Sequence, residues 1–114
     1  RLKKYILNKK ELFNNYLKVF LNNKSIEVVI PESKLSWNFW LITILLKSNS
    51  IKIRDKLISQ LNHYKIGARP VWQLNHKIQI YKNCPKMDLS NAEQLEKNII
   101  TLPSSAHFLM GDKK

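Results

Sequence analysis

Phe39-Trp40-Leu41-Ile42-Thr43-Ile44-Leu45-Leu46-Lys47 is the stretch whose reading decides the fold. It is a near-continuous apolar run broken only by Thr43 and stopped by Lys47. It falls far short of the roughly 20 residues that span a bilayer. A short apolar run of this kind reads as a strand suited to burial on both faces. Ser48-Asn49-Ser50 then reads as a turn, with Ser50 placed to cap a following helix.

Downstream, Ile53, Leu57, Ile58, Leu61 and Tyr64 form one stripe and predict a helix from about Ile51 to Lys65. Gly67 sits where a left-handed helix terminus is wanted. Ala68 to Val71 reads as a short strand, with Arg69 held extended by Pro70. Trp72 to Pro85 has no clear period and is rich in aromatic and hydrogen-bonding side chains, which marks it as a candidate site loop. Ser90-Asn91-Ala92-Glu93 has the capping-box spacing and predicts a helix to about Asn98, with Glu93 engaged in the cap. Ile99-Ile100-Thr101-Leu102 reads as a last strand, ended by Pro103.

Upstream, Leu2, Tyr5, Ile6, Leu12, Phe13, Tyr16, Leu17, Phe20 and Leu21 recur at three- and four-residue steps, predicting a helix over residues 2–23. Lys9 interrupts that stripe, so a break or a snorkelling side chain is expected there. Ile26 to Ile30 is β-branched and ends at Pro31, and Glu32 to Ser36 reads as loop. The tail, ending Asp112-Lys113-Lys114, reads as frayed. The resulting order is helix, strand, strand, helix, strand, loop, helix, strand. It predicts an α+β fold, with helices on one face of a small, mainly antiparallel sheet.

Composition narrows the function classes. The chain has 114 residues, 44% hydrophobic and 25% charged, as one ordinary globular domain would. A single cysteine, Cys84, excludes an internal disulfide and a multi-cysteine metal site. Two glycines, Gly67 and Gly111, leave no glycine-rich phosphate loop. The net charge of +12 comes from 17 Lys and only 3 Arg, scattered among 13 Ile and 12 Asn. Dispersed lysine is a weak signal for specific nucleic-acid binding, which favours arginine. No membrane-spanning segment and no signal peptide is evident.

Chemistry-bearing residues are few. His63, His76 and His107 are far apart and lack the spacing of two ligands on one helix face, so no metal site is predicted. His63 is expected on the exposed side of its helix. His76 lies in the irregular loop beside Trp72 and Lys77, where an imidazole can bond a substrate or an anionic group. Cys84 reads as an inert thiol. Arg54 and Asp55 read as helix-surface charges, Asp88 as a turn residue, and no two carboxylates announce an acid–base pair. Trp37, Phe39 and Trp40 read as core and its edge rather than as a stacking platform. On the residues alone the chain is a small α+β domain with one suspicious loop.

That loop also carries a resemblance. Gly67-Ala68-Arg69-Pro70-Val71-Trp72-Gln73-Leu74-Asn75-His76-Lys77, followed by Tyr81-Lys82-Asn83-Cys84, resembles the C-terminal region of the DegT/StrS family of sugar aminotransferases. Asn38-Phe39-Trp40-Leu41, Arg54-Asp55-Lys56-Leu57, Asn91-Ala92-Glu93-Gln94-Leu95-Glu96 and Ile100-Thr101-Leu102-Pro103-Ser104-Ser105 follow the same family text in order. The resemblance covers roughly residues 5–106 and looks nearest to the subgroup making 4-amino sugars for legionaminic-acid-like or bacillosamine-like glycans.

The resemblance implies an aspartate-aminotransferase-type (fold type I) enzyme using pyridoxal 5'-phosphate (PLP). This chain looks like its small C-terminal α+β domain over 25–106, with residues 1–24 as the helix leading in from a large domain and 107–114 as tail. The start at Arg1 rather than Met fits a fragment. The Schiff-base lysine and the other cofactor residues lie upstream in the family, so no catalytic, cofactor-binding or metal-binding residue is expected here. Arg69, Trp72 and His76 are carried over as substrate-side residues. The parent is expected to be a cytoplasmic homodimer that moves an amino group, from glutamate, to a 4-keto UDP-sugar. The alternative is an independent basic module binding nucleic acid or another anionic partner.

Overall fold

A computed structural model describes residues 1–32 and 36–109 of the chain. Helix α1 (Leu2–Phe20) is followed by β1 (Ile26–Val28), β2 (Ile42–Leu46), α2 (Ile51–His63), β3 (Arg69–Pro70), α3 (Ser90–Asn98) and β4 (Ile99–Leu102). Three short 3-10 turns cover Asn75–Lys77, Gln79–Tyr81 and Ala106–Leu109. The strands form one antiparallel sheet in the order β1-β2-β4-β3, so the α+β expectation holds. The end of the tail and the middle of the 32–36 loop lie outside the described residues.

The register explains the core. Ile42 faces Leu102, Ile44 faces Ile100 and Val28 faces Ile44, so one face of the sheet is a continuous sheet of aliphatic side chains. Ile42 and Ile100 are fully buried. Helices α1 and α2 cover this face through Leu12, Phe13, Tyr16, Leu17 and Phe20 on one and Leu57, Ile58 and Leu61 on the other. The opposite face carries Thr43, Leu45, Ile99 and Thr101, all partly exposed. The deciding run is therefore buried on one face, not both, because both long helices pack on the same side.

Phe39 shortens β2 at its start. Its φ is 56°, in the left-handed region, so extended pairing begins only at Ile42. The reversal splits the aromatic cluster. Trp37 and Phe39 turn inward onto Phe13, with ring centroids 4.9 and 5.7 Å from it, while Trp40 turns outward and is 64% exposed.

Lys9 does not break α1, and its head group is tied to backbone carbonyls rather than reaching water. Its Nζ donates to the carbonyls of Phe39 (3.1 Å), Trp40 (3.4 Å) and Ser104 (2.5 Å). Burial lowers its pKa below the usual lysine value. Asn8 donates to the Ala106 carbonyl and Tyr16 to that of Pro103. One polar row on α1 thus holds the segment that follows β4, and Tyr16's burial there raises its pKa.

Helix α2 begins as expected, with the Ser50 Oγ accepting from the Ile53 N–H at 3.5 Å. Ile53 and Tyr64, expected on its apolar stripe, are exposed instead, because only the middle turns of α2 reach the sheet. The helix ends differently too. The Ile66 N–H donates to the Leu61 carbonyl and the Lys65 N–H to that of Asn62, the paired bonds of a Schellman terminus. The left-handed residue in it is Lys65, with φ 64°, and not Gly67. Asn62 Nδ2 then donates to the Ala68 carbonyl at 3.0 Å, steering the chain into β3.

Candidate functional site

Strand β3 pairs Arg69 with Thr101 and Pro70 with Ile100 at the sheet edge. Proline has no N–H to continue the ladder, and the chain leaves the sheet there to form the 71–89 loop. Two 3-10 turns fold that loop back on itself, with the Lys77 N–H bonded to the Leu74 carbonyl and the Tyr81 N–H to that of Ile78.

Helix α3 holds the loop from below. Glu93 and Glu96 lie three residues apart and so share one face of the helix. Glu93 Oε1 lies 2.9 Å from His76 Nε2. One oxygen of Glu96 accepts the Leu74 N–H at 3.2 Å, and the other pairs with the Lys77 ammonium. Burial alone would raise the Glu96 pKa; the Lys77 ammonium, the Leu74 N–H and the nearby Arg54 charge outweigh it and hold the carboxyl below its usual range.

Two expectations about these charges are corrected. Glu93 does not close a capping box: α3 is preceded by Leu89 with no side-chain cap, and Glu93 faces His76 instead. The start of α3 is organised by Asp88, which accepts from the Ser90 N–H (3.0 Å) and hydroxyl (2.9 Å) and is acidified by those two bonds. Arg54 is no surface charge, since its side chain is 11% exposed. Its Nη1 donates to the Glu96 backbone carbonyl at 2.5 Å and its Nε to Asp55 at 2.9 Å, joining α2 to α3 beneath the loop.

The loop and the start of α3 enclose a cleft of about 690 Å³, lined by Trp72, Leu74, His76, Tyr81, Lys86 and Met87 among others. Trp72, 70% exposed, stands with its ring centroid 6.3 Å from that of Trp40. The structure therefore brings Trp72 and His76 to one cleft and leaves Arg69 apart, exposed on the sheet edge. Cys84 is exposed on the cleft rim. His63 is exposed beside Tyr64, and His107 packs edge-on to Tyr5. Among the described residues no three His, Cys, Asp or Glu side chains cluster as metal ligands.

A second cavity, of about 420 Å³, lies between α1 and α2 over the sheet. Its walls are mainly aliphatic and aromatic side chains such as Leu12, Phe20, Leu57 and Leu61. The convergent hydrogen-bonding groups that a specific polar ligand needs are in the first cleft. Glu93 and Glu96 are the site-organising residues that sequence reasoning passed over. The available signal was their three-residue spacing on a helix directly after the loop.

The sequence matches the model of the DegT/DnrJ/EryC1/StrS aminotransferase family over residues 1–113. No curated protein matches it. Among solved structures it is similar to Helicobacter pylori PseC, an aminotransferase involved in pseudoaminic acid biosynthesis (TM-score 0.78, 20% identity, covering 89% of this chain and 28% of that one). It is also similar to Spr1654 of Streptococcus pneumoniae in its PMP form (0.75, 20%, 88% and 26%). A third is DesV of S. venezuelae, solved with a ketimine intermediate (0.74, 20%, 88% and 26%). At these identities the likeness shows the fold. The chain spans about a quarter of the length of these structures. No described helix is long and apolar enough to cross a membrane.

Proposed function

Because this chain belongs to the DegT/DnrJ/EryC1/StrS aminotransferase family, we propose that it is the small substrate-side domain of a PLP-dependent aminotransferase acting on a 4-keto nucleotide sugar. The observation that carries this reading is the cleft in which Trp72 and His76 meet. An aromatic wall packs against the C–H face of a pyranose, and an imidazole bonds its hydroxyls. Arg69, a guanidinium on the neighbouring sheet edge, is the group suited to a diphosphate.

The lining of this cleft does not match a PLP site. Such a site needs a lysine amine, a carboxylate for the ring nitrogen and a phosphate cradle converging on one pocket. Around the cleft stands one lysine, Lys86, with no Asp or Glu among the lining side chains. Lys77 is committed to Glu96 and Lys9 to three carbonyls. In this reading residues 25–106 form the small domain, 1–24 lead in from a cofactor domain and 107–114 are tail. The cofactor, glutamate as donor, the homodimer and the cytoplasmic setting belong to the parent enzyme.

The test is titration of the 114-residue chain with UDP-N-acetylglucosamine, followed by amide and indole NMR shifts. Saturable shifts at Trp72, Leu74 and His76, absent with N-acetylglucosamine alone at the same concentration, support the reading. Shifts confined to other surfaces overturn it.

A further inference from the structure

His76 is held by one of its two ring nitrogens. Nε2 lies 2.9 Å from Glu93 Oε1, and the imidazole is 14% exposed. Nδ1 has no hydrogen-bond partner among the described residues, and the residue borders the cleft. An ionised carboxylate only accepts. With the imidazole neutral, the hydrogen bond to Glu93 therefore requires the proton to be on Nε2, and Nδ1 is left as a lone-pair acceptor.

The other charged groups around the ring do not compete for it. Asp88 and Lys86 border the hollow beside His76 and Glu93, but Asp88 is engaged by Ser90 and Lys86 carries no acceptor. Lys77, adjacent in sequence, pairs with Glu96. Glu96 also fixes the Leu74 N–H, two residues before the ring, so the backbone that carries His76 is held by the same helix that fixes its proton. This carboxylate-to-imidazole support is the usual way in which an imidazole is locked in one tautomer and orientation.

The geometry points to Glu93 as a positioning residue that keeps the His76 proton on Nε2 and presents Nδ1 to the cleft as the acceptor for a sugar hydroxyl. The assignment rests on the nucleotide-sugar reading of the cleft. It adds a residue to that reading and states which partner donates: the ligand O–H donates and His76 Nδ1 accepts.

The test is long-range proton–nitrogen NMR of the 114-residue chain in mildly alkaline buffer, with UDP-N-acetylglucosamine as probe. The expected wild-type spectrum shows one tautomer, protonated at Nε2, whose Nδ1 signal moves when the probe binds. In Glu93→Ala both tautomers appear, and the probe binds about fivefold more weakly, as expected for one lost hydrogen bond. Glu93→Gln, whose amide oxygen still accepts, restores the single tautomer and most of the affinity. A wild-type proton on Nδ1, an Nδ1 signal that binding leaves unmoved, or a Glu93→Ala variant identical to wild type in tautomer and affinity overturns the assignment. If Glu93→Ala fails to fold, the wild-type tautomer and the Nδ1 response still decide. Failure of the nucleotide-sugar reading looks different: Trp72, Leu74 and His76 all stay unmoved by the probe, whatever the tautomer.

Discussion

Replacing Glu96 by alanine removes the anchor between α3 and the site loop, and its cost follows from the contacts. The side chain is 11% exposed and accepts from two donors. The Leu74 N–H is left unpaired in a part-buried place, which costs roughly 1–3 kcal/mol. The Lys77 ammonium is 35% exposed and returns to water, so its share is at most about 1 kcal/mol. The expected destabilisation is about 2–3 kcal/mol. Unfolding entropy of about 2.1 cal/mol/K per residue gives this 114-residue chain about 0.24 kcal/mol/K. The melting temperature should fall by about 8–12 °C. Glu96→Gln keeps an acceptor for Leu74 and should lose about half as much.

The same residue sets part of the acid response. Its carboxyl titrates lower in the folded chain than in the unfolded one, because Lys77, Leu74 N–H and Arg54 outweigh the effect of burial. Its stabilisation is therefore present above the ordinary glutamate range, roughly pH 4–5, and is lost as pH falls through the depressed folded value. Urea unfolding from neutral pH downward, with amide exchange at Leu74 and Lys77, measures both effects. A Glu96→Ala chain within about 0.5 kcal/mol of wild type, with an unchanged acid slope and unchanged exchange at Leu74, would refute the argument.

The other expectations are briefer. Lys65→Gly relieves a left-handed residue and should stabilise by about 0.5–1 kcal/mol. Gly67→Ala, at a site with open space around the added carbon and no left-handed φ, should be neutral or slightly stabilising; thermal unfolding of the two variants checks both signs. Trp72→Ala should leave stability within about 0.5 kcal/mol, because the ring is 70% exposed, yet weaken UDP-N-acetylglucosamine binding at least about tenfold, or about 1.4 kcal/mol, by calorimetry. Borohydride reduction of the 114-residue chain with PLP, followed by peptide mapping, should give scattered substoichiometric lysine labelling; one stoichiometric adduct would require a cofactor site within this chain.

Much of the fold is legible because hydrophobic spacing is a strong signal. The strand Ile99–Leu102 and the two long amphipathic helices are found close to where the sequence pattern places them, and the apolar run before Ser48 supplies β2 from Ile42 onward. Two of the errors concern groups with two acceptable local partners. Glu93 fits a capping box, but His76 is the partner that tertiary structure supplies. Gly67 fits a helix terminus, but the terminal bonds close two residues earlier on Lys65. Arg54 looks like a surface charge because nothing in its own helix shows that the end of α3 will lie over it. Trp72 and His76 were legible as a loop pair; the two glutamates beneath them required the packing of α3.

The order β1-β2-β4-β3 has a consequence for how the chain comes together in time. The strand between β2 and β3 is the last one in the sequence. A growing chain can close the β1–β2 pair early, since those strands are neighbours in sequence. Ile42 and Ile44 nonetheless stay without their partners Leu102 and Ile100 until the far end of the domain has been synthesised. Until then β3 has no strand to pair with, and the loop after it has no α3 to rest on. Assembly therefore depends on a late, long-range closure, which is slow relative to local pairing. The cleft takes shape in that closing step, together with the centre of the sheet.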